Sequence, residues 1–255
     1  MTSRSPLAVQ QQGSTLVLTI ARPGAKNAIN RELAERLRDA VLDAADDEGI
    51  RCLVLAARGE DVFVAGGDLK EFRTLPLDGA GAQHILDLGT ELSCIEDSPL
   101  PIIAAVQGDV LGGGCELLVL CDLVVMEEQA AIEFRHVRMG LTPAWGGTSR
   151  LVERVGALRA TDLLLTGRRV AADEASTMGL VNQVVPRGGS LTAALDLARQ
   201  IAHSERDAVA AIKRSLTTAR RAARADGLTQ EQKVFRSAWG SAAHRAAMAA
   251  FLSKH

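Results

Sequence analysis

The sequence predicts a mixed α/β domain whose last third is helical, and three observations carry that expectation. Short apolar runs of mostly β-branched residues and Leu recur between stretches of helical periodicity. Each run is followed by a loop bearing glycine or charge. Beyond residue 147 helical periodicity dominates. At 255 residues the chain can bury its own core without disulfides or metals.

Residues 7–20, LAVQQQGSTLVLTI, alternate loosely around a Gln-Gln-Gly-Ser turn and read as a hairpin. The proline-containing loop ARPGAKN follows. From Asn30 the period changes: Leu33, Leu37, Val41 and Ala44 share one helix face, Asn30 suits the cap and Glu32 the first turn. Cys52–Ala57, Ile102–Val106 and Leu123–Met126 are too short for core helices and are expected as buried strands. Helices over roughly 81–96 and 114–121 lie between them, which makes repeated strand and helix units. Later come SRLVERVGALRATDLLLTG, AADEASTMG, a short strand over Leu180–Val184 before Pro186, and an Ala-rich helical stretch from Thr192 to Ala225. The chain thus divides into an α/β core, 1–190, and a helical region, 191–255. The apolar faces of that region need cover from the core or from a neighbouring subunit, so an oligomer is expected.

Composition removes several functions. Lys plus Arg number 29 against 31 for Asp plus Glu, a formal charge of −2 that offers no broad attraction to nucleic acid or an anionic membrane. Only seven residues are aromatic, five Phe and two Trp with no Tyr, so a base-stacking surface is not expected. The basic run KRSLTTARRAAR, Lys213 to Arg224, reads as a solvated helix face. Cys52, Cys94, Cys115 and Cys121 form no CxxC pair and no zinc spacing, so reduced, buried thiols and no metal are expected. The N-terminus lacks an apolar leader and no stretch is long enough to span a bilayer, which suits a cytoplasmic protein.

Glycine clusters twice where a strand should hand over to a helix, in FVAGGDLKEF (Phe63–Phe72) and in VQGDVLGGGCELLVLCD (Val106–Asp122). Glycine lets backbone N–H groups approach a ligand uncovered, and a helix start adds unpaired donors. Both loops also read as tight turns; neither has P-loop or GxGxxG spacing. Glu116, just inside the helix after three glycines, suits the first-turn charge preference, and it is also placed to move protons at a carbon beside a developing oxyanion. Cys115 has no adjacent base and reads as packing, and Ser149 in GGTSR reads as helix-start chemistry.

The runs RPGAKNAIN, AGGDLKEF, GDVLGGGCELLVLCD, MGLTPAWGGTSRLVERVG and LLTGRRVAADEASTMGLVNQVV resemble, in order and over nearly the whole chain, the enoyl-CoA hydratase/isomerase, or crotonase, superfamily. The resemblance implies a spiral of ββα units with a helical C-terminal region, assembled as trimers or dimers of trimers. It implies an acyl-CoA thioester substrate, no separate cofactor, and an enolate held by two backbone N–H groups, which are carried onto Ala65 and Gly113. The loop Ala65, Gly66, Gly67, Asp68 and Leu69, with Lys26 and Ala28, resembles the part that bends around CoA. Lys26 reads equally as a solvated lysine and Asp68 as the cap of LKEF.

Family hydratases use two glutamates. Glu116 matches the first; alignment on MGLTP puts His136 in the second position, a departure that places plain hydration in doubt. FRHVRMGLTPAWGGTSRLVERVG most resembles the ethylmalonyl-CoA decarboxylase-like branch, a resemblance that implies loss of carbon dioxide from a branched malonyl-type thioester. His136 or a neighbouring Arg135 or Arg138 would hold the carboxylate, and Glu116 would serve as a protonated acid. Hydration of a 2-enoyl-CoA is the alternative, and a non-catalytic acyl-CoA- or RNA-binding homologue a further one. A scaffold role for His136 stays open. With no Tyr available, proton handling falls to Glu116, His136 or water, and Trp145 is expected to wall the acyl pocket.

Overall fold

The computed structural model describes residues 5–222 and 225–253. The hairpin forms as expected: β1 (Leu7–Gln12) pairs antiparallel with β2 (Thr15–Ile20). Helix α1 (Arg31–Asp46) follows, with the Asn30 side chain accepting the Leu33 N–H and Leu33, Ala34, Leu37, Val41 and Ala44 buried. Then come β3 (Cys52–Ala57), β4 (Val62–Val64), α2 (Leu69–Phe72), α3 (Gly79–Leu92) and α4 (Cys94–Asp97). The next unit is β5 (Ile102–Val106), β6 (Asp109–Leu111) and α5 (Gly113–Leu118). It is followed by β7 (Leu123–Glu127), β8 (Ala131–Glu133), α6 (Gly147–Val155) and α7 (Ala157–Thr166). The chain continues through β9 (Val170–Ala171), α8 (Ala172–Met178) and β10 (Gln183–Val185), and ends in α9 (Ser190–Ala202), α10 (Arg206–Ala222), α11 (Ala225–Ala238) and α12 (Ala242–Leu252).

The repeat is a strand pair and a helix. The six-stranded sheet has the order β1-β2-β3-β5-β7-β10, and the short strand after each of β3, β5 and β7 enters a second sheet, β4-β6-β8-β9. Parallel pairing of β3 with β5 and of β5 with β7 is echoed by β4 with β6 and β6 with β8. The sequence reading missed β4, β6 and β8, because three residues flanked by glycine or charge carry no periodicity.

Three expected boundaries shift for local reasons. The helix over 81–96 breaks at Ser93, whose hydroxyl bonds the Thr90 carbonyl in competition with the helix ladder. The helix over 114–121 ends at Leu118, and its last residues close tighter turns, Leu120 N–H to the Leu117 carbonyl and Cys121 N–H to that of Leu118. The strand at 180–184 becomes Gln183–Val185, because Leu180 and Val181 are core residues and Asn182 is pinned to Val124 by both its backbone and its side chain.

The largest apolar core gathers one face of the six-stranded sheet, α1 and α3. A second core covers the other face, where Ala194 and Ala198 of α9 pack against Val54, Ile103 and Val125. The 190/191 boundary therefore falls at the start of a helix that belongs to the sheet. Helix α11 packs on α3 and α6, and α12 packs on the turn that precedes α6, so this region folds back over its own core.

Lys213 departs from the solvated face expected of it. It is buried, its Nζ lies 2.7 Å from Asp122 and donates to the Leu100 carbonyl at 2.8 Å. Asp122 in turn accepts the Ile102 N–H, so the pair ties α10 to the start of β5. Arg220 and Arg221 pair with Glu153 and Asp97, and Ala223 and Arg224 lie outside the described residues. Lys213→Met is expected to lower stability by about 3 kcal/mol, since it strips Asp122 of its partner and leaves carbonyls unpaired. An unchanged urea midpoint would show the pair to be dispensable.

Candidate active site

Each glycine of Gly112-Gly113-Gly114 has its own reason. Gly112 has φ +52 as β6 hands over to α5, a conformation that L side chains rarely adopt. A Cβ on Gly113 would lie 2.7 Å from the Trp145 ring, and one on Gly114 only 2.2 Å from the Val64 carbonyl oxygen. Close approach of β4 and Trp145 thus fixes where α5 starts, and with it Glu116.

Glu116 is buried but well supplied with donors. Its Oε2 accepts the N–H groups of Ala144 (3.1 Å), Trp145 (2.7 Å) and Gly147 (3.0 Å), and its Oε1 stands 3.0 Å from Nε2 of His136. An oxygen that takes three N–H bonds has no room for a proton, so exchange is confined to the Oε1–His136 axis. The structure therefore brings the two candidate proton carriers, twenty residues apart in sequence, into direct contact. His136 sits on a 3-10 turn, Arg135–Met139, and its Nδ1 is buried with no partner among the described residues.

The neighbouring arginines serve Glu133. Arg135 lies 2.6 Å from it and Arg138 3.4 Å, and Arg138 also donates to the Gly167 carbonyl. The Arg135 guanidinium holds the Glu133 carboxyl below its usual range. Neither arginine is a free carboxylate holder, since both are paired with Glu133; Arg138 does face solvent, and Arg135 is half-buried.

The first glycine loop requires another correction. The Ala65 N–H already donates to the Lys26 carbonyl at 3.1 Å, so it is not an open donor. Ile29 bridges the loop, its N–H reaching Gly66 and its carbonyl taking the Asp68 N–H. The amide between them, Gly67, donates to nothing among the described residues, and neither does that of Gly113. Gly66, at φ +101, presses this loop against α5: a Cβ there would lie 2.9 Å from the Gly113 nitrogen. Two open amides, Gly67 and Gly113, thus flank one contact. The AGG run marks this loop in the sequence; which amide stays open depends on the bridge to Ile29, 38 residues away by number.

Asp68 caps α2 through the Lys70 N–H at 2.9 Å and pairs with Arg22 at 2.6 Å, so its carboxylate is occupied in holding the loop. Arg22 also donates to the carbonyl of buried Ala28. Lys26 is exposed in a left-handed conformation, φ 51, and Leu69 opens α2 half-buried. Trp145 is fixed by its indole N–H, which donates to the Ile85 carbonyl at 2.9 Å. Its ring lies against Gly113. Cys115 contacts the Val110 and Glu133 carbonyls, and burial raises its thiol pKa, which suits packing rather than nucleophilic use.

Sequence reasoning missed Glu231 on α11. It accepts the Thr148 N–H at 2.8 Å, one residue past the Gly147 N–H that serves Glu116. Burial first, then the nearby Glu116 charge, pushes its carboxyl pKa up. No local pattern could reveal it, because the link is purely spatial.

The profile of the enoyl-CoA hydratase/isomerase family matches residues 10–255. A probable enoyl-CoA hydratase of Rhizobium meliloti (strain 1021) is 37% identical over 254 residues, covering 99% of this chain and 96% of the relative. The 2,3-dehydroadipyl-CoA hydratase of Escherichia coli (strain K12) is 35% identical over 250 residues, covering 98% and 96%. Among solved structures, carnitinyl-CoA hydratase from Mycobacterium avium superposes with a TM-score of 0.88 at 32% identity, covering 99% of this chain and 97% of that one.

Proposed function

The chain belongs to the enoyl-CoA hydratase/isomerase, or crotonase, family and has its fold, and from that premise we propose that it hydrates a 2-enoyl-CoA thioester reversibly, with Glu116 and His136 as the proton-handling pair. The observation that carries the reading is the 3.0 Å contact between His136 and Glu116, which shares its short helix with the open Gly113 amide. The thioester oxygen is taken to accept the Gly67 and Gly113 N–H groups, which draws charge onto that oxygen as water adds to the β-carbon. Each such donor contributes about 3–4 kcal/mol to barrier lowering in other enzymes. The unpartnered Nδ1 of His136 suits a water, while the Nε2–Oε1 axis relays the proton towards the α-carbon. Lys26, Ala28 and the Ala65–Leu69 loop are proposed to flank the CoA, with no separate cofactor.

Decarboxylation of a branched malonyl-type thioester is the second reading, favoured by the imidazole at position 136. The main argument against it is electrostatic: a substrate carboxylate would stand close to the Glu116 carboxylate, and the nearby arginines are taken. The test is direct: crotonyl-CoA should lose its enoyl absorbance while ethylmalonyl-CoA releases no carbon dioxide, and the reverse result overturns hydration. His136→Gln should cut kcat at least about tenfold, and unchanged kinetics would reduce the ring to scaffold.

Assembly as a trimer or dimer of trimers is proposed on the same family basis. Leu158 and Leu165 on α7, 86% and 70% exposed, offer apolar surface to a neighbour. Among the described residues no helix is long and apolar enough to cross a membrane.

A further inference from the structure

The C-terminal helices carry an unpaired donor beside the site. His244 on α12 is fully buried, and its Nδ1 accepts the Gly240 N–H at 3.0 Å. That bond fixes the tautomer, so the proton of the neutral ring is on Nε2. Burial, with the charge of Arg245 adding to it, lowers the imidazole pKa and keeps the ring neutral. Yet Nε2 has no partner among the described residues. A buried N–H without an acceptor is costly, which makes it a pointer to a ligand.

A continuous set of contacts places His244 on the rim of the site. The Phe72 ring occupies the space where a Cβ on Gly67 would stand, at 2.3 Å. Phe72 meets Trp239 edge-on at 6.2 Å, and Trp239 lies 4.6 Å from His244. The His244 backbone in turn abuts Gly140, in the turn that follows His136: a Cβ on Gly140 would lie 2.8 Å from the His244 nitrogen. The contacts run from the Gly67 backbone round to Gly140, four residues past His136. Thr142, two residues past Gly140, adds a buried hydroxyl without a partner among the described residues.

We propose that His244 is a specificity-determining residue whose Nε2–H donates to a neutral oxygen, a hydroxyl or keto group, on the acyl chain, so that oxygenated acyl-CoA thioesters are selected over plain ones. A neutral acceptor fits better than a carboxylate. Among the described residues the only charge that acts on the buried ring is that of Arg245, whose guanidinium is occupied by the Gly240 carbonyl, so no free cation waits for a carboxylate. The inference rests on the acyl-CoA reading above.

The test compares a plain medium-chain 2-enoyl-CoA with counterparts bearing a keto, hydroxy or terminal carboxy group towards the chain end, in wild type and in His244→Phe. In wild type, kcat/KM for the keto or hydroxy thioester should exceed that for the plain one at least about tenfold, and the variant should bring that ratio close to one. Equal values in wild type, an unchanged ratio in the variant, or preference for the carboxy thioester overturns the proposal. Calorimetric titration of wild type with the saturated keto-acyl- and plain acyl-CoA reads the same preference without chemistry and without relying on the variant's folding. Selective binding without turnover would reject the hydratase reading alone. Binding without selectivity would reject the role of His244.

Discussion

Glu116→Gln is expected to lower kcat by at least about 100-fold while the protein remains folded. The amide is nearly isosteric, and its carbonyl oxygen can take the N–H bonds of Ala144, Trp145 and Gly147 that Oε2 now holds. What it cannot do is exchange a proton with Nε2 of His136 across the 3.0 Å contact. Glu116→Ala provides the contrast, because it leaves three buried N–H groups unpaired, at about 1–3 kcal/mol each where no water enters. The glutamine variant should therefore melt near wild type and be nearly inactive, and the alanine variant should lose stability as well. A glutamine variant that keeps more than a tenth of wild-type kcat would remove Glu116 from the chemistry.

Gly113→Pro should cost a further hundredfold or more in kcat beyond Gly113→Ala, about 3–4 kcal/mol, if the Gly113 N–H takes the oxyanion. Either residue introduces a Cβ that must displace the Trp145 ring, now 2.7 Å from that position. Proline at the first helical position suits the α5 backbone, so the variants differ in the missing N–H and in the ring carbon that replaces it near Gly66. Equal rates for the two variants would mean that this donor does not act. The paired design matters because the alanine variant alone would confuse crowding at Trp145 with loss of the donor.

Much of the fold was legible from periodicity. The β1–β2 hairpin, α1 with its Asn30 cap and the long buried strands follow from apolar spacing, since each is fixed largely by its own residues. The second sheet was not, because β4, β6 and β8 are too short to show a period and exist only as partners of one another. The site divides in the same way. Glu116 after its glycines and His136 before MGLTP could be picked out by motif. The choice of Gly67 over Ala65 could not, because it turns on whether a carbonyl from the early loop consumes an amide.

Alone, the sequence determined the α/β class, the family resemblance and the residue types at the candidate site, because these depend on local spacing and on short motifs. Tertiary structure decided which donors are open, which charges are already paired and which distant side chains reach the site. Glu116 is held by the 144–147 turn, Arg135 is drawn to Glu133, Lys213 is buried on Asp122, and Glu231 arrives from α11. Hydrogen bonds and ion pairs saturate through space, over separations that no pattern along the chain records.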